Sequence, residues 1–378
     1  MKRLLMTLAR LSAVAGLILS ILATPSTGWA TGLQQGETPT DQARQILDGM
    51  TPEDKVGQLF LITFRGNQIN TNSQIYDLIA NYHVGGVVLL ASNDNFNGPA
   101  NTGSDAYALI SQLQMAAGAT APTGPEQTPS NNPQVKPNAI PLFIGISQEG
   151  DSYPNDQILS GLTQLPSPMA LGATWQPELA NRVGQVAGQE LQALGVNLFL
   201  GPDLDVIDQR YIESTDDLGT TVFGGNSYWV GEMGRAFVAG LHVGSDHRMA
   251  VIAKNFPGRG SSDRNPLDEV GTVRKSLDQL TKVDLAPFMA VSGNAATPES
   301  TVDGLLVDHI RYQSLQGNIR PTTKPVSLDA TAMNQLLTMP EFSTWRDQGG
   351  IVVSNDLGSR AIRRTYDPSL RTFDMRQV

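Results

Sequence analysis

The sequence predicts an α/β fold built on parallel strands, either an open sheet or a (β/α)8 barrel. Short apolar runs rich in β-branched residues recur along the chain, and they are continuous rather than alternating, as in strands covered on both faces. Stretches with apolar residues three and four positions apart, typical of amphipathic helices, separate these runs. The chain has 378 residues, of which 40% are hydrophobic and 16% charged, so it has to bury a large core.

Seven strands are predicted in order along the chain, each a short apolar run bounded by polar or turn-forming residues. The runs are 58–64, 84–90, 142–146, 196–200, 249–253, 302–307 and 350–354. No eighth apolar run follows the last of them, so a barrel is predicted with its eighth strand missing or atypical. Such an open barrel exposes two strand edges. Three explanations of the missing strand are open: another segment closes the barrel, a partner closes it, or the chain is a shortened gene product.

Amphipathic helices are predicted between the strands, for example at 74–82, 178–194 and 228–242. A further helix is predicted after Thr51, because threonine is a good N-cap and Pro52 suits the first helical position. The segment 118–139 is rich in Pro, Gly, Thr, Asn and Gln and has no apolar periodicity, which predicts a long exposed insertion. With no internal repeat along the chain, one barrel domain is predicted over residues 41–378.

The N-terminus has the pattern of a secretory signal peptide over residues 1–30. A basic start is followed by a mostly apolar stretch from Leu4 to Ala23, and Gly28 and Ala30 are small residues at the positions that a signal peptidase reads. We expect cleavage near Ala30 and a secreted or extracytoplasmic protein, with residues 31–40 as a polar tail. The alternative is an uncleaved membrane anchor, although Arg10 interrupts the apolar run. After cleavage no stable membrane span is predicted.

Charge and cysteine content exclude several classes of function. The chain has 26 Lys and Arg against 36 Asp and Glu, and removing the three bases of the first thirty residues takes the formal charge from -10 to -13. Such a protein repels phosphate backbones and anionic lipids, so no nucleic-acid partner is predicted. The absence of cysteine excludes disulfides, thiol catalysis and Cys-ligated metals. The histidines have no metal-ligand spacing, so no metal or other cofactor is predicted; they are His83, His242, His247 and His309.

A series of motifs, spaced along the predicted strands, carries a family resemblance. They are Lys55–Phe60, Val84–Leu89, Ser147–Gly150, Leu165–Ser167, Ala170–Ala173, Gly195–Leu198, Gly201–Val206, Phe223–Gly224, Lys254–Gly260, Asp284–Phe288, Asp308–Ile310 and Val352–Leu357. Their order resembles glycoside hydrolase family 3, in particular its bacterial β-N-acetylhexosaminidase branch, from about residue 42 to about residue 364. The resemblance implies a TIM-type (β/α)8 barrel whose site lies at the carboxyl ends of the strands.

The chemistry that the resemblance implies is retaining glycoside hydrolysis, in which a carboxylate attacks the anomeric carbon and water releases the product. The resemblance puts the nucleophile at Asn355, whose neutral amide offers no carboxylate. In the family the acid/base is a histidine paired with an aspartate, and the resemblance puts this pair in the loop after Gly260. Asp263 stands at the position of that aspartate, and Asn265 replaces the histidine. An amide does not transfer protons near neutral pH. Asp356 follows Asn355, but one step along an extended chain turns a side chain to the opposite face, which favours a capping role.

The positions implied to bind sugar have changed as well. They are Ser147, Thr221, Lys254, Asn255, Arg259 and His309. Ser147 replaces an aspartate, Thr221 falls at an arginine, and Asn255 and Arg259 replace two histidines, whereas Lys254 is retained. For His309 at a strand end, a structural role is the equal alternative. Asp203 and Asp205, which follow the fourth strand, are interpreted as carboxylates that fix their loop.

The sequence therefore predicts an exported family 3-like protein that has lost retaining catalysis and binds an N-acetylglucosamine-type carbohydrate. The alternative is an active divergent glycosidase, hydrolysing β-linked N-acetylglucosamine-type glycosides, that uses Asp356 or another acid such as Asp263, Asp268 or Glu269. Whether the chain is an enzyme, and its oligomeric state, are left open by the sequence.

A third interpretation places Lys254, Arg259 and Arg264 in a basic pocket for an anionic ligand, such as a phosphate or an acidic sugar. The simpler alternative, which is favoured, pairs the two arginines with Asp263, Asp268 and Glu269 at the surface, because exposed ion pairs of this kind are common.

Overall fold

The computed structural model describes residues 38–119, 140–150, 153, 155–208, 219–264, 268–374 and 376. The chain divides into two compact units, residues 1–49 and 50–378. In the first unit, the described part is the helix α1 (Pro39–Gly49). The predicted signal peptide and the tail up to residue 37 lie outside the described residues, so export stays a prediction. Residues 120–139 of the predicted insertion lie outside them too.

The second unit is built on a parallel sheet in which the described ranges contribute seven strands. These are β1 (Leu61–Ile62), β2 (Gly86–Val88), β3 (Phe143–Ile146), β4 (Leu198–Asp203), β5 (Ala250–Phe256), β7 (Gly304–Val307) and β9 (Ile351–Ser354). Two short strands, β6 (Thr272–Val273) and β8 (Arg311–Tyr312), form a separate parallel pair. The order in the large sheet is β1-β2-β3-β4-β5-β7-β9, and every neighbouring pair is parallel. All carboxyl ends therefore lie at one end of the sheet.

Helices connect the strands of the second unit. They are α2 (Pro52–Gly57), α3 (Gln74–Ala80), α4 (Thr102–Ala119), α5 (Pro168–Gly172), α6 (Pro177–Ala193), α7 (Ser227–Gly244), α8 (Leu277–Gln279), α9 (Leu285–Ala290), α10 (Gln313–Gln316), α11 (Ala330–Leu337), α12 (Pro340–Asp347) and α13 (Arg360–Tyr366). The π-helical segment Leu280–Asp284 joins α8 to α9. Across the described ranges, no helix combines the length and the apolar character needed to cross a bilayer.

The local structure confirms most of the predicted elements. Every predicted strand is present, and Thr51 caps α2: its Oγ1 accepts from the Asp54 N–H while the Thr51 N–H donates to Asp54 Oδ2. The strand β5 runs three residues further than predicted, so Lys254 and Asn255 lie on the strand rather than in the loop after it. The strands β6 and β8 were not predicted, because two residues are too few to form a periodic pattern.

The sheet curls as a TIM-type barrel does, with one strand missing, and apolar side chains on its inner strands are buried. Val87, Phe199 and Val251 are fully buried on central strands. The end strands differ, since Leu59 before β1 is 82% exposed and Ile351 on β9 is 49% exposed. Within the described ranges no eighth strand pairs with β1 or β9. Apolar side chains are therefore exposed at both ends of the sheet, where a closed barrel has no free edge.

Candidate functional site

Acidic, basic and amide side chains meet at the carboxyl ends of β3, β4, β5, β7 and β9. We call this group the strand-end cluster; it comprises Glu149, Asp203, Asp205, Lys254, Asn255, Arg259, Asp308 and Asn355. Each of its four carboxylates is at most 2% exposed. Buried carboxylates need cations or hydrogen-bond donors around them. The cluster supplies both, and its contacts decide which groups reach a ligand.

Lys254 neutralises the carboxylate that follows β3. Its Nζ forms an ion pair with Glu149 Oε1 and lies 3.5 Å from Ser147 Oγ. The Ser147 hydroxyl donates to Glu149 Oε1 at 3.2 Å, and the Asp203 N–H donates to Glu149 Oε2 at 3.0 Å. Burial raises the pKa of Glu149, and the Lys254 ammonium opposes that rise. Glu149 therefore serves to hold Lys254 and the end of β4 together.

Asn255 ties β5 to Asp203, the last residue of β4, and to Asp205 just after it. Its backbone has a φ of 72°, in the left-handed region that asparagine tolerates better than most residues. Its amide donates to Asp203 Oδ2 at 2.8 Å and to Asp205 Oδ2 at 3.0 Å. Asp203 Oδ1 also accepts from the Asp205 N–H at 2.9 Å. These contacts support the loop-fixing role expected of Asp203 and Asp205.

Arg259 places a positive charge between two buried aspartates. Its backbone N–H donates to Asp205 Oδ1 at 2.5 Å, and its Nε donates to Asp205 Oδ2 at 3.2 Å. The same Nε lies 3.7 Å from Asp308 Oδ2. Burial, and then the neighbouring Asp203 charge, raise the pKa of Asp205 well above its usual range, while Arg259 opposes the rise. The cluster therefore depends on Arg259 for its charge balance.

Asn355 and Asp356 have different roles at the end of β9. The Asn355 Nδ2 donates to Asp308 Oδ1 at 3.0 Å, and Asn355 Oδ1 accepts from the Asp356 N–H at 2.9 Å. The Asp356 side chain is exposed and its Oδ1 accepts from the Gly358 N–H at 2.8 Å. Asn355 thus belongs to the cluster, whereas the carboxylate of Asp356 caps its own loop, which supports the capping role expected from the sequence.

His309 links the end of β7 to the loop after β9. Its Nε2 lies 2.9 Å from the Asp356 carbonyl oxygen, and its Nδ1 lies 2.7 Å from Ser327 Oγ. Because a carbonyl only accepts, Nε2 carries the hydrogen and Nδ1 accepts from the serine hydroxyl. Burial lowers the pKa of His309, against the effect of the Asp308 charge. Of the two alternatives, these contacts support a structural histidine.

We expect His309 to stabilise the fold less as the pH falls. The unfolded chain takes up a proton at the ordinary histidine pKa of about 6.5, whereas the folded pKa is lower, so protonation favours unfolding. The stability lost in a His309→Gln variant should therefore shrink between pH 8 and pH 5.5, as measured by urea unfolding.

His242 gives the matched control because the Asp303 carboxylate, 3.1 Å from its Nε2, raises its pKa despite burial. His242 therefore stabilises the fold fully below pH 6.5, and this stabilisation is lost as the pH rises. The free energy of unfolding that is lost in His242→Gln should grow as the pH falls from 8 to 5.5. Parallel pH profiles for the two variants would contradict both assignments.

The loop after β5 holds the remaining predicted catalytic position that the structure describes. Asp263 Oδ1 accepts from the Thr272 N–H at 2.7 Å, and its Oδ2 lies 3.1 Å from Arg274 Nη2. Asp263 therefore binds the start of β6, and its two oxygens already have partners. Of two other predicted positions, Asn265 lies outside the described residues, and Thr221 is half-buried on the segment that leads to α7.

The third interpretation, a basic pocket formed by Lys254, Arg259 and Arg264, is wrong. Lys254 and Arg259 are paired with buried acids of the strand-end cluster, whereas Arg264 forms an exposed ion pair with Glu269. The favoured surface pairing is confirmed for Arg264. It is wrong for Arg259, whose partners are Asp205 and Asp308.

Sequence reasoning gave no role to Glu149 or Asp308, although both hold the cluster together. Each lies within three residues of a strand end, and an acid directly after a buried parallel strand was the available signal. The predicted positions whose side chains the structure brings together in one set of contacts are Ser147, Lys254, Asn255, Arg259 and Asn355. His309 and Asp356 join this set through their backbone N–H groups, which donate to Asp308 Oδ1 and Asn355 Oδ1.

The outer side of the strand-end cluster presents hydrogen-bond donors. Ser147, Lys254, Arg259 and Asn355 are partly exposed, while the four carboxylates lie beneath them. Hydroxyl, ammonium, guanidinium and amide groups suit the oxygen atoms of a polar ligand. In the part of the chain that the structure describes, no three His, Cys, Asp or Glu side chains are arranged to hold a metal ion. The outer side of the cluster therefore offers donors, and its carboxylates are buried beneath them.

Known proteins share both the sequence pattern and the fold. The family model of the glycosyl hydrolase family 3 N-terminal domain matches residues 51–373. A beta-hexosaminidase of Hydrogenovibrio crunogenus is 30% identical over 179 residues, which cover 45% of each chain. Beta-hexosaminidase LpqI of Mycobacterium bovis is 26% identical over 321 residues, covering 82% of this chain and 67% of the relative.

Solved structures agree with these relatives. A family 3 β-N-acetylglucosaminidase from Paenibacillus sp. superposes with a TM-score of 0.67 and 25% identity, covering 84% of this chain and 51% of that one. M. tuberculosis LpqI superposes with a TM-score of 0.61 and 23% identity, covering 84% of this chain and 77% of that one, which shows the fold alone. The matched regions span about half the length of the Hydrogenovibrio and Paenibacillus proteins.

Proposed function

The chain belongs to glycosyl hydrolase family 3, and from this premise we propose that its strand-end cluster binds an N-acetylglucosamine-type carbohydrate without hydrolysing it. Two relatives that it resembles are named beta-hexosaminidases, and a structural neighbour is a β-N-acetylglucosaminidase. The substrate class is taken from those names. The residues of this chain account for the loss of hydrolysis.

The amide of Asn355 is the observation that carries the proposal. A retaining glycosidase needs a carboxylate that touches the anomeric carbon and a second group that protonates the leaving oxygen. Asn355 stands at the first position, and its Nδ2 is engaged with Asp308. The neighbouring Asp356 holds the Gly358 N–H, and its carbonyl oxygen is bound by His309. Bringing Asp356 to the sugar requires these contacts to break.

The buried acids are no ready replacement for the nucleophile. Glu149, Asp203 and Asp205 each accept at least two hydrogen bonds or ion pairs and are at most 2% exposed. The partly exposed groups above them are donors, which fit sugar hydroxyl and N-acetyl oxygens. Ser147 and Lys254, 3.5 Å apart, form the centre of this donor surface.

We expect the purified chain to release no aryl alcohol from an aryl β-N-acetylglucosaminide and to bind N-acetylglucosamine measurably by calorimetry. Ser147→Ala should weaken that binding by about tenfold, which is the effect of losing one good hydrogen bond. The matched control is Ser343→Ala on α12, away from the strand ends, which should leave the affinity unchanged. Equal losses in both variants, or no binding by the parent chain, would contradict the proposal.

A divergent glycosidase is the second candidate, and one contact favours it. Buried Asp308 Oδ2 has no hydrogen-bond partner within the described residues, although Arg259 lies 3.7 Å away. It is the acid next to the Asn355 amide, so it is the carboxylate best placed to act if the loops move. Turnover by the parent chain that disappears in Asp308→Asn or in Asp356→Ala would establish this candidate and refute the proposal of a binding protein.

A further inference from the structure

A cavity of about 440 Å³ lies among loops that leave the same end of the sheet as the strand-end cluster. Its walls come from the loop after β5, from β8 and the loop after α10, and from α13. It shares no residue with the strand-end cluster. We call it the arginine pocket, because five arginines line it: Arg264, Arg274, Arg311, Arg320 and Arg364.

The lining of the arginine pocket has an excess of positive charge. Against its five arginines stand two carboxylates, Asp263 and Glu269, which leaves a formal charge of +3 in a chain of formal charge -10. Glu269 is shared, since it pairs with Arg264 and lies 3.0 Å from Arg364 Nη2. Asp263 pairs with Arg274 at 3.1 Å. The acids thus orient three guanidinium groups without neutralising the whole lining.

Two of the arginines, Arg311 and Arg320, form no ion pair with a carboxylate in the part of the chain that the structure describes. Arg311 is buried and donates to three carbonyl oxygens, those of Thr323 at 2.6 Å, Val270 at 3.0 Å and Pro321 at 3.2 Å. Carbonyl groups satisfy hydrogen bonds but bring no negative charge. The side chain of Arg320 is exposed at the rim. Burial, and then the Arg264 charge, lower the pKa of Arg311, and the Asp263 carboxylate only partly opposes that fall.

We propose that the arginine pocket binds a phosphate-class oxyanion carrying two or three negative charges. Guanidinium groups bind phosphate oxygens in a bidentate, directional manner, and pairing with acids holds three of them in place in advance. A phosphate monoester or a pyrophosphate balances a lining of charge +3, whereas a single carboxylate leaves most of that charge uncompensated. The volume accommodates a phosphate group together with the small molecule that bears it. This inference does not depend on the proposed sugar binding.

The test is calorimetric titration of the full chain at low ionic strength with inorganic phosphate, inorganic pyrophosphate and glucuronate. Pyrophosphate should saturate one site and should bind at least tenfold more tightly than glucuronate, which carries one carboxylate. Arg320→Gln and Arg364→Gln should each weaken pyrophosphate binding by about tenfold or more. Arg248→Gln is the matched control, because Arg248 pairs with Asp246 on an exposed surface outside the pocket.

Three results would overturn the proposal. One is the absence of binding by phosphate and pyrophosphate, and another is an equal loss in Arg320→Gln and in Arg248→Gln, which indicates attraction to the general surface. The third is glucuronate binding as tightly as pyrophosphate, which assigns the pocket to carboxylates. Arg320 is exposed, and within the described residues its side chain makes no contact on which the fold depends. The Arg320→Gln variant should therefore fold normally.

Discussion

Replacing Arg259 with alanine should lower the free energy of unfolding by about 3–5 kcal/mol, the usual cost of removing one partner from a buried ion pair. Asp205 is 0% exposed and Asp308 is 2% exposed, and both lie beside the Arg259 guanidinium. Without it, two carboxylates remain in a medium of low dielectric constant with Asp203 close by. Urea unfolding at pH 8, with the midpoint and slope both measured, gives the loss directly.

The pH dependence of that loss identifies its cause. Without Arg259 the folded pKa of Asp205 rises further above its unfolded value, so the variant loses stability as the pH rises and recovers some of it at pH 5. Arg264→Ala is the matched control, because it breaks an exposed pair with Glu269 and should cost at most about 1 kcal/mol. A loss below 1 kcal/mol in Arg259→Ala, or one that is independent of pH, would show that the buried acids do not need this cation.

Changing Asn355 to aspartate, the family residue, should destabilise the protein and should fail to restore hydrolysis. The Asn355 amide lies 3.0 Å from Asp308 Oδ1, so the new side chain replaces a donor with a second carboxylate. Two carboxylates at this distance do not both ionise without cost, and the lost hydrogen bond adds to that cost. We expect a loss of about 2–3 kcal/mol at pH 8 that is smaller at pH 5, where the pair shares a proton.

A double-mutant cycle separates this repulsion from a general intolerance of substitution at residue 355. Asp308→Asn in the Asn355→Asp background again pairs one carboxylate with one amide, so the two changes should couple favourably by more than about 1 kcal/mol. Asn355→Ala, which removes the donor without adding a charge, should gain no such benefit from Asp308→Asn. Additive losses in the cycle would refute the pairing. Turnover in Asn355→Asp alone would refute the expectation that this substitution fails to restore hydrolysis.

The sequence was sufficient for the larger elements because their signals are local. A buried parallel strand needs a continuous apolar run and a covering helix needs apolar positions three and four apart, and both patterns are present from β1 to β9. The cap at Thr51 was predictable for the same reason, since the hydroxyl and the Asp54 N–H are three residues apart. The strands β6 and β8 were not predicted, because two residues outside any longer apolar run form no recognisable pattern.

For the strand-end cluster, the sequence determined which residue types stand at the ends of the strands. It placed amides at Asn355 and at Asn265, the positions that the resemblance gives to the nucleophile and to the acid/base histidine, and from these two it predicted that the family's retaining chemistry is lost. That loss remains a proposal to be tested by turnover. The family membership and the barrel are now shown by the match over residues 51–373 and by the structural neighbours.

Only the tertiary structure decided which of these side chains are partners. Arg259 was expected to pair with nearby acids of its own loop, and it binds Asp205 and Asp308, which come from two other strand ends. Arg264, five residues later, pairs within its loop and faces the arginine pocket instead. The physical reason is that electrostatic pairing depends on distance in space, and the parallel strands bring together side chains that are 47 to 107 residues apart in the chain. Local sequence patterns determine the strands, and the packing of those strands determines which charged side chains are partners.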